Sequence, residues 1–129
     1  MATMSLRCKC GAFRGVVHSL SPAQGNRCVC YCDDCQAYAH YLGQAETVLD
    51  ANGGTDITPV TPSQIEITVG HETISALRLS PKGLLRWYAD CCNTPIANTV
   101  AWARMPFAGV VHAIMDPKAS GTRREEALG

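Results

Sequence analysis

The sequence predicts a mainly β single domain of small antiparallel sheets with one short helix, held together by cysteine-bound metal. Three observations lead there: strand-length runs separated by turn residues, a single segment with helical spacing, and eight cysteines in 129 residues. Phe13 to His18, Arg27 to Cys32, Gln64 to Val69, Thr73 to Leu79, Leu84 to Tyr88 and Gly109 to Met115 carry β-branched or aromatic residues, several with period-two alternation. Ile65, Ile67 and Val69 share one face of their strand, and Gly70-His71-Glu72 predicts a hairpin into the next. Asp34 to Leu42 places Tyr38, Tyr41 and Leu42 at helical spacing, with Gly43 where a stop is expected. From Asp50 to Pro62, Asn52-Gly53-Gly54, Pro59 and Pro62 read as a long irregular surface connection. The domain is expected over residues 1–115, and the polar stretch 116–129 is expected to be a partly disordered tail.

Eleven basic and eleven acidic residues leave no formal net charge, so nothing draws the chain toward nucleic acid or an anionic membrane. No run approaches the roughly 20 apolar residues that span a bilayer, and Met1 to Cys10 lacks a signal-like apolar core. The expected setting is therefore cytoplasmic, where thiols stay reduced and clustered cysteines favour metal over disulfides.

The cysteines fall into Cys8-Lys9-Cys10-Gly11, Cys28-Val29-Cys30-Tyr31-Cys32-Asp33-Asp34-Cys35, and the distant pair Cys91-Cys92. Zinc takes thiolates tetrahedrally at about 2.3 Å, and two or three cysteines spaced one or two apart on a turn converge on one ion. A residue at positive φ after the cysteine aims backbone N–H groups at the sulfurs, a role that suits Gly11 and, next best, Asn93. Cys8, Cys10, Cys91 and Cys92 are thus expected to close one structural zinc site. Cys30, Cys32 and Cys35 supply three thiolates to a second, leaving a fourth position open as in catalytic zinc sites. Cys28, about 6.6 Å along an extended strand from Cys30, is expected to be a buried structural cysteine. His40, one turn past Cys35, stays outside the ligand set, and Asp33 and Asp34 are expected to cap the helix or to take a proton.

Cys8-x-Cys10-Gly11, Cys30-x-Cys32-x-x-Cys35-Gln36 and Trp87-Tyr88 leading into Cys92-Asn93-Thr94-Pro95-Ile96 resemble the glutathione-dependent formaldehyde-activating enzyme and centromere protein V family, over roughly residues 6–115. The resemblance implies a β-tent fold, a structural zinc on Cys8, Cys10 and Cys92, a catalytic zinc on Cys30, Cys32 and Cys35, and carbon-sulfur lyase chemistry on the adduct of glutathione and formaldehyde. The sequence departs from that pattern where Ala89 stands in place of a cysteine. Either the adjacent Cys91 completes the site through a bent backbone, or the site is three-thiolate, weakened or absent. The expected partner is a small thiol or glutathione adduct, with Arg14, Arg27, Arg78, Lys82, Arg86 and Arg104 as candidate carboxylate holders. Trp87, Tyr88, Trp102 and Phe107 suit core or pocket wall better than stacking platforms for bases. The alternatives are a non-catalytic zinc module that binds a protein partner, and a thiol redox sensor acting through Cys28 and Cys91, which requires exposed thiols of low pKa.

Overall fold

The computed structural model describes residues 2–20, 28–81, 83–100 and 108–120. Its strands are β1 (Ala2–Arg7), β2 (Arg14–Leu20), β3 (Cys28–Cys30), β4 (Thr55–Val60), β5 (Ile65–Val69), β6 (Ile74–Leu77), β7 (Leu85–Ala89), β8 (Thr94–Thr99), β9 (Ala108–Val111) and β10 (Met115–Asp116). Two antiparallel sheets result, one in the order β10-β1-β2-β5 and the other in the order β3-β4-β9-β8-β7-β6. The helix α1 (Asp33–Tyr41) is followed by the short turns α2 (Ala45–Val48) and α3 (Pro117–Ser120). The mainly β architecture with one short helix is the one predicted.

Several boundaries differ from expectation for physical reasons. The stretch 50–62 is not a plain loop, because Thr55–Val60 forms a strand between β3 and β9. Pro59 is tolerated there because pairing with β3 covers only Thr55 to Ile57, so the proline lies beyond that stretch. Gly70 makes no hairpin: β5 pairs with β2 whereas β6 pairs with β7, and the turn at Gly70 carries the chain from one sheet to the other. Gly70 adopts φ +86, and a Cβ there would stand 2.2 Å from the Ala12 carbonyl oxygen. The expected tail begins in order, since Asp116 pairs with Ser5 and a helical turn follows; residues 121–129 lie outside the described residues.

Register shows how the larger sheet divides its two faces, because directly paired residues project to the same side. Thr58, Val110 and Ala97 are in register on one side, as are Val60 and Ala108, and all except Thr58 belong to a core shared with Met4, Leu6 and Val17 of the smaller sheet. The opposite side carries Cys28 and Cys30 of β3, their partners Ile57 and Thr55, then Val111, Asn98 and Arg86. The helix α1 buries Cys35, Tyr38 and Ala39, and the Tyr38 hydroxyl donates to the Trp87 carbonyl at 3.1 Å, which ties the helix to β7. The sheet thus presents an apolar face to the core and a cysteine-bearing face to α1.

Candidate metal centres

The first centre is built by two turns from different sheets. Cys8 and Cys10 follow β1, and the Cys8 amide donates to the Phe13 carbonyl while the Phe13 amide donates to Cys8 Sγ at 3.3 Å. Gly11 at φ +83 and Asn93 at φ +56 both adopt the left-handed conformation predicted for them. At Asn93 this bends the connection between β7 and β8, so that adjacent Cys91 and Cys92 face the same point. All four sulfurs lie within 4.8 Å of one another. Cys8 to Cys10 is 3.7 Å, Cys8 to Cys91 is 3.6 Å and Cys91 to Cys92 is 3.8 Å. A tetrahedron of zinc–sulfur bonds has an edge of about 3.8 Å, and these three separations match it. Cys91 therefore supplies the fourth thiol, while Ala89 is fully buried in the core.

The electrostatics of this cluster are asymmetric. Burial works against ionisation of Cys92, but hydrogen bonds from the Thr94 hydroxyl and the Cys10 amide outweigh it and lower the thiol to about 6. Thr94 is fixed for that role: its oxygen accepts the Lys9 amide at 3.1 Å and lies 3.0 Å from Cys92 Sγ, to which it donates. Cys91 is raised, by desolvation within the cluster and by donating its proton to neighbouring sulfurs. The metal-free cluster thus holds a thiolate beside a thiol.

The second centre joins β3 to α1. The sulfurs of Cys30, Cys32 and Cys35 lie within 4.8 Å of one another, with Cys30 to Cys32 at 3.2 Å and Cys35 to Cys30 at 3.3 Å. Cys32 is the N-cap of α1, its sulfur accepting the Cys35 amide at 3.4 Å. Asp33 and Asp34 occupy the first helical turn and do not cap it, which corrects the expected role. Burial raises Cys35 to about 12 despite a hydrogen bond from Arg86, whereas Cys32 is lowered because the hydrogen bonds to Cys35 and Cys30 and the Arg86 charge outweigh its desolvation. Cys35 is buried, Cys30 is half-buried and Cys32 is exposed, so the trio opens to solvent on one side.

Cys28 and the carboxylate holders depart from expectation, whereas His40 stays outside the trio as expected. Cys28 is exposed and outside the trio, because β3 is an edge strand with a neighbour on one side only. Its thiol is raised by burial and by Cys30 and Asp56, and Cys91 is raised as well, so neither meets the low-pKa requirement of a redox sensor. His40 is exposed and lines a cavity with Lys9 and Gln44, away from the trio. Among the candidate carboxylate holders, Arg14 bonds the Gly11 carbonyl and Arg78 the Pro81 carbonyl, while Arg27, Lys82 and Arg104 lie outside the described residues, as do Trp102 and Phe107. Arg86 is 3% exposed and its Nη1 donates to Cys35 Sγ at 3.5 Å, which takes it out of reach of a substrate carboxylate. Sequence reasoning missed this contact because nothing in a linear pattern aims a strand arginine at a helix cysteine.

Among the described residues, two cysteine clusters are thus suited to bind metal, one with four sulfurs and one with three. A family model, described as a family of unknown function (DUF6151), matches residues 1–129. The chain belongs to that family. No curated protein matches it. Among solved structures, a crystal structure of a Rhodobacter sphaeroides protein is similar, with a TM-score of 0.61 and 18% identity over 88% of each chain. That likeness is one of fold. Among the described residues, no helix is long and apolar enough to cross a membrane.

Proposed function

We propose that this DUF6151 protein is a zinc protein with a closed structural ion on Cys8, Cys10, Cys91 and Cys92 and a reactive, thiol-binding ion on Cys30, Cys32 and Cys35. The observation that carries this reading is the contrast in donor number: four sulfurs within 4.8 Å of one another in one cluster, three with a solvent-facing side in the other. When bound at the trio, zinc supplies Lewis acidity that lowers the pKa of an incoming thiol and polarises a neighbouring carbon-oxygen bond. The helix N-terminus at Cys32 favours negative charge at the same place. Exposed Asp33 and Asp34 flank the opening, where either carboxylate can accept the proton that an incoming thiol gives up.

The cysteine order resembling formaldehyde-activating enzymes supports a thiol-aldehyde adduct of the glutathione type as the substrate class, with carbon-sulfur lyase chemistry and no redox step. Zinc X-ray absorption of the full chain, with and without glutathione, tests this. The expected result is a mean of about 3.5 sulfurs per zinc that rises toward four on adding glutathione, as the thiol takes the open position. A mean of four sulfurs at the outset, unchanged by glutathione, would overturn it.

That second outcome belongs to the alternative reading, a non-catalytic zinc module for a protein partner. The exposed Val29 and Tyr31 beside the trio favour it, at 40% and 52% exposure.

A further inference from the structure

We infer that Arg86 is the positioning residue of the three-cysteine centre, balancing its charge and fixing Cys35 through a directed N–H···S contact. The inference rests on the reading of the trio as a metal site. Arginine is almost never fully buried without a partner anion. Arg86 is 3% exposed on β7, and among the described residues no carboxylate pairs with it. Its neighbours are Cys35 Sγ at 3.5 Å and the Tyr38 ring, whose centroid lies 5.5 Å from the guanidinium carbon. The residue in register with it, Asn98, has a buried Oδ1 with no hydrogen-bond partner, so Arg86 does not spend a donor there either. Sulfur is the acceptor left to balance the charge.

The arithmetic fits three ligands. Three thiolates around a divalent cation sum to −1, and one guanidinium brings the buried assembly to zero. The four-cysteine cluster is served differently, by the Phe13 amide and the Thr94 hydroxyl, and no arginine or lysine side chain donates to its sulfurs among the described residues. A planar fork suits the task better than an ammonium, since it can lie against Tyr38 and still direct one N–H at sulfur. Because α1 and β7 meet through Tyr38 and Trp87, the contact also holds Cys35 at a fixed distance from the strand.

The test is zinc release from the full chain to a chromophoric chelator, for wild type, Cys35→Ala, Arg86→Met and Arg86→Lys. Cys35→Ala identifies the phase that belongs to the trio. Arg86→Met is expected to speed that phase ten-fold or more, Arg86→Lys to fall between it and wild type, and both to leave the four-cysteine phase unchanged. A merely structural role would move both phases together with the melting temperature. Wild-type release from the trio in Arg86→Met overturns the inference. Should that variant not fold, Arg86→Lys decides it: selective loosening of the trio supports the inference, and wild-type release overturns it. A wild-type chain with no phase sensitive to Cys35→Ala would instead refute the metal reading itself.

Discussion

At the scale of single residues, reactivity in the four-cysteine cluster is set by hydrogen bonds and not by exposure. Cys91 is exposed and Cys92 half-buried, so accessibility alone would make Cys91 the faster nucleophile. The Thr94 hydroxyl and Cys10 amide reverse that order by holding Cys92 at about 6, while Cys91 keeps its proton. A depressed thiol is a thiolate above its pKa and is protonated as the pH falls through it. Alkylation of the metal-free chain by iodoacetamide, mapped by peptide mass spectrometry, should therefore label Cys92 before Cys91, with a rate that rises through about pH 6 and flattens above it. Labelling of Cys91 first would contradict the assignment. The same residues show what a linear reading can supply. The need for positive φ at Gly11 and Asn93 is visible because few residue types adopt it, whereas the pairing of Thr94 with Cys92 and of Arg86 with Cys35 depends on strand register that no spacing encodes.

At the scale of elements, local pattern located most strands and the helix but not their partners. The alternation in β5 and β6 was legible, yet the intervening turn crosses between sheets, because pairing depends on which long-range neighbour buries each face. β4 is masked in the sequence by Gly54, which immediately precedes it, and by Pro59, which lies beyond the stretch paired with β3. β1 and β8 are not among the predicted strands; their strand character comes from inner positions in the two sheets. The turn between β5 and β6 yields the sharpest element-scale prediction. Gly70→Ala would place a methyl 2.2 Å from backbone oxygen at a φ of +86, so it should cost more than about 2 kcal/mol in urea unfolding. A loss below about 0.5 kcal/mol would mean that the crossover accommodates a side chain and that its geometry differs from that described.

At the scale of the whole molecule, the two clusters have different mechanical roles. The four-cysteine centre ties the end of β1, in one sheet, to the turn between β7 and β8, in the other, and so staples the two layers of a small domain. The three-cysteine centre joins only the edge strand β3 to α1, on the sheet face turned away from the shared core, and leaves one side open. On the proposed reading, stability and reactivity belong to separate ions. The measurement that tests this division most directly is zinc per chain by native mass spectrometry on protein purified without chelator, for wild type and for Cys35→Ala. Two zinc ions in wild type and one in Cys35→Ala are predicted. A single zinc ion in both would contradict the account, because the cluster of Cys30, Cys32 and Cys35 would then hold no metal.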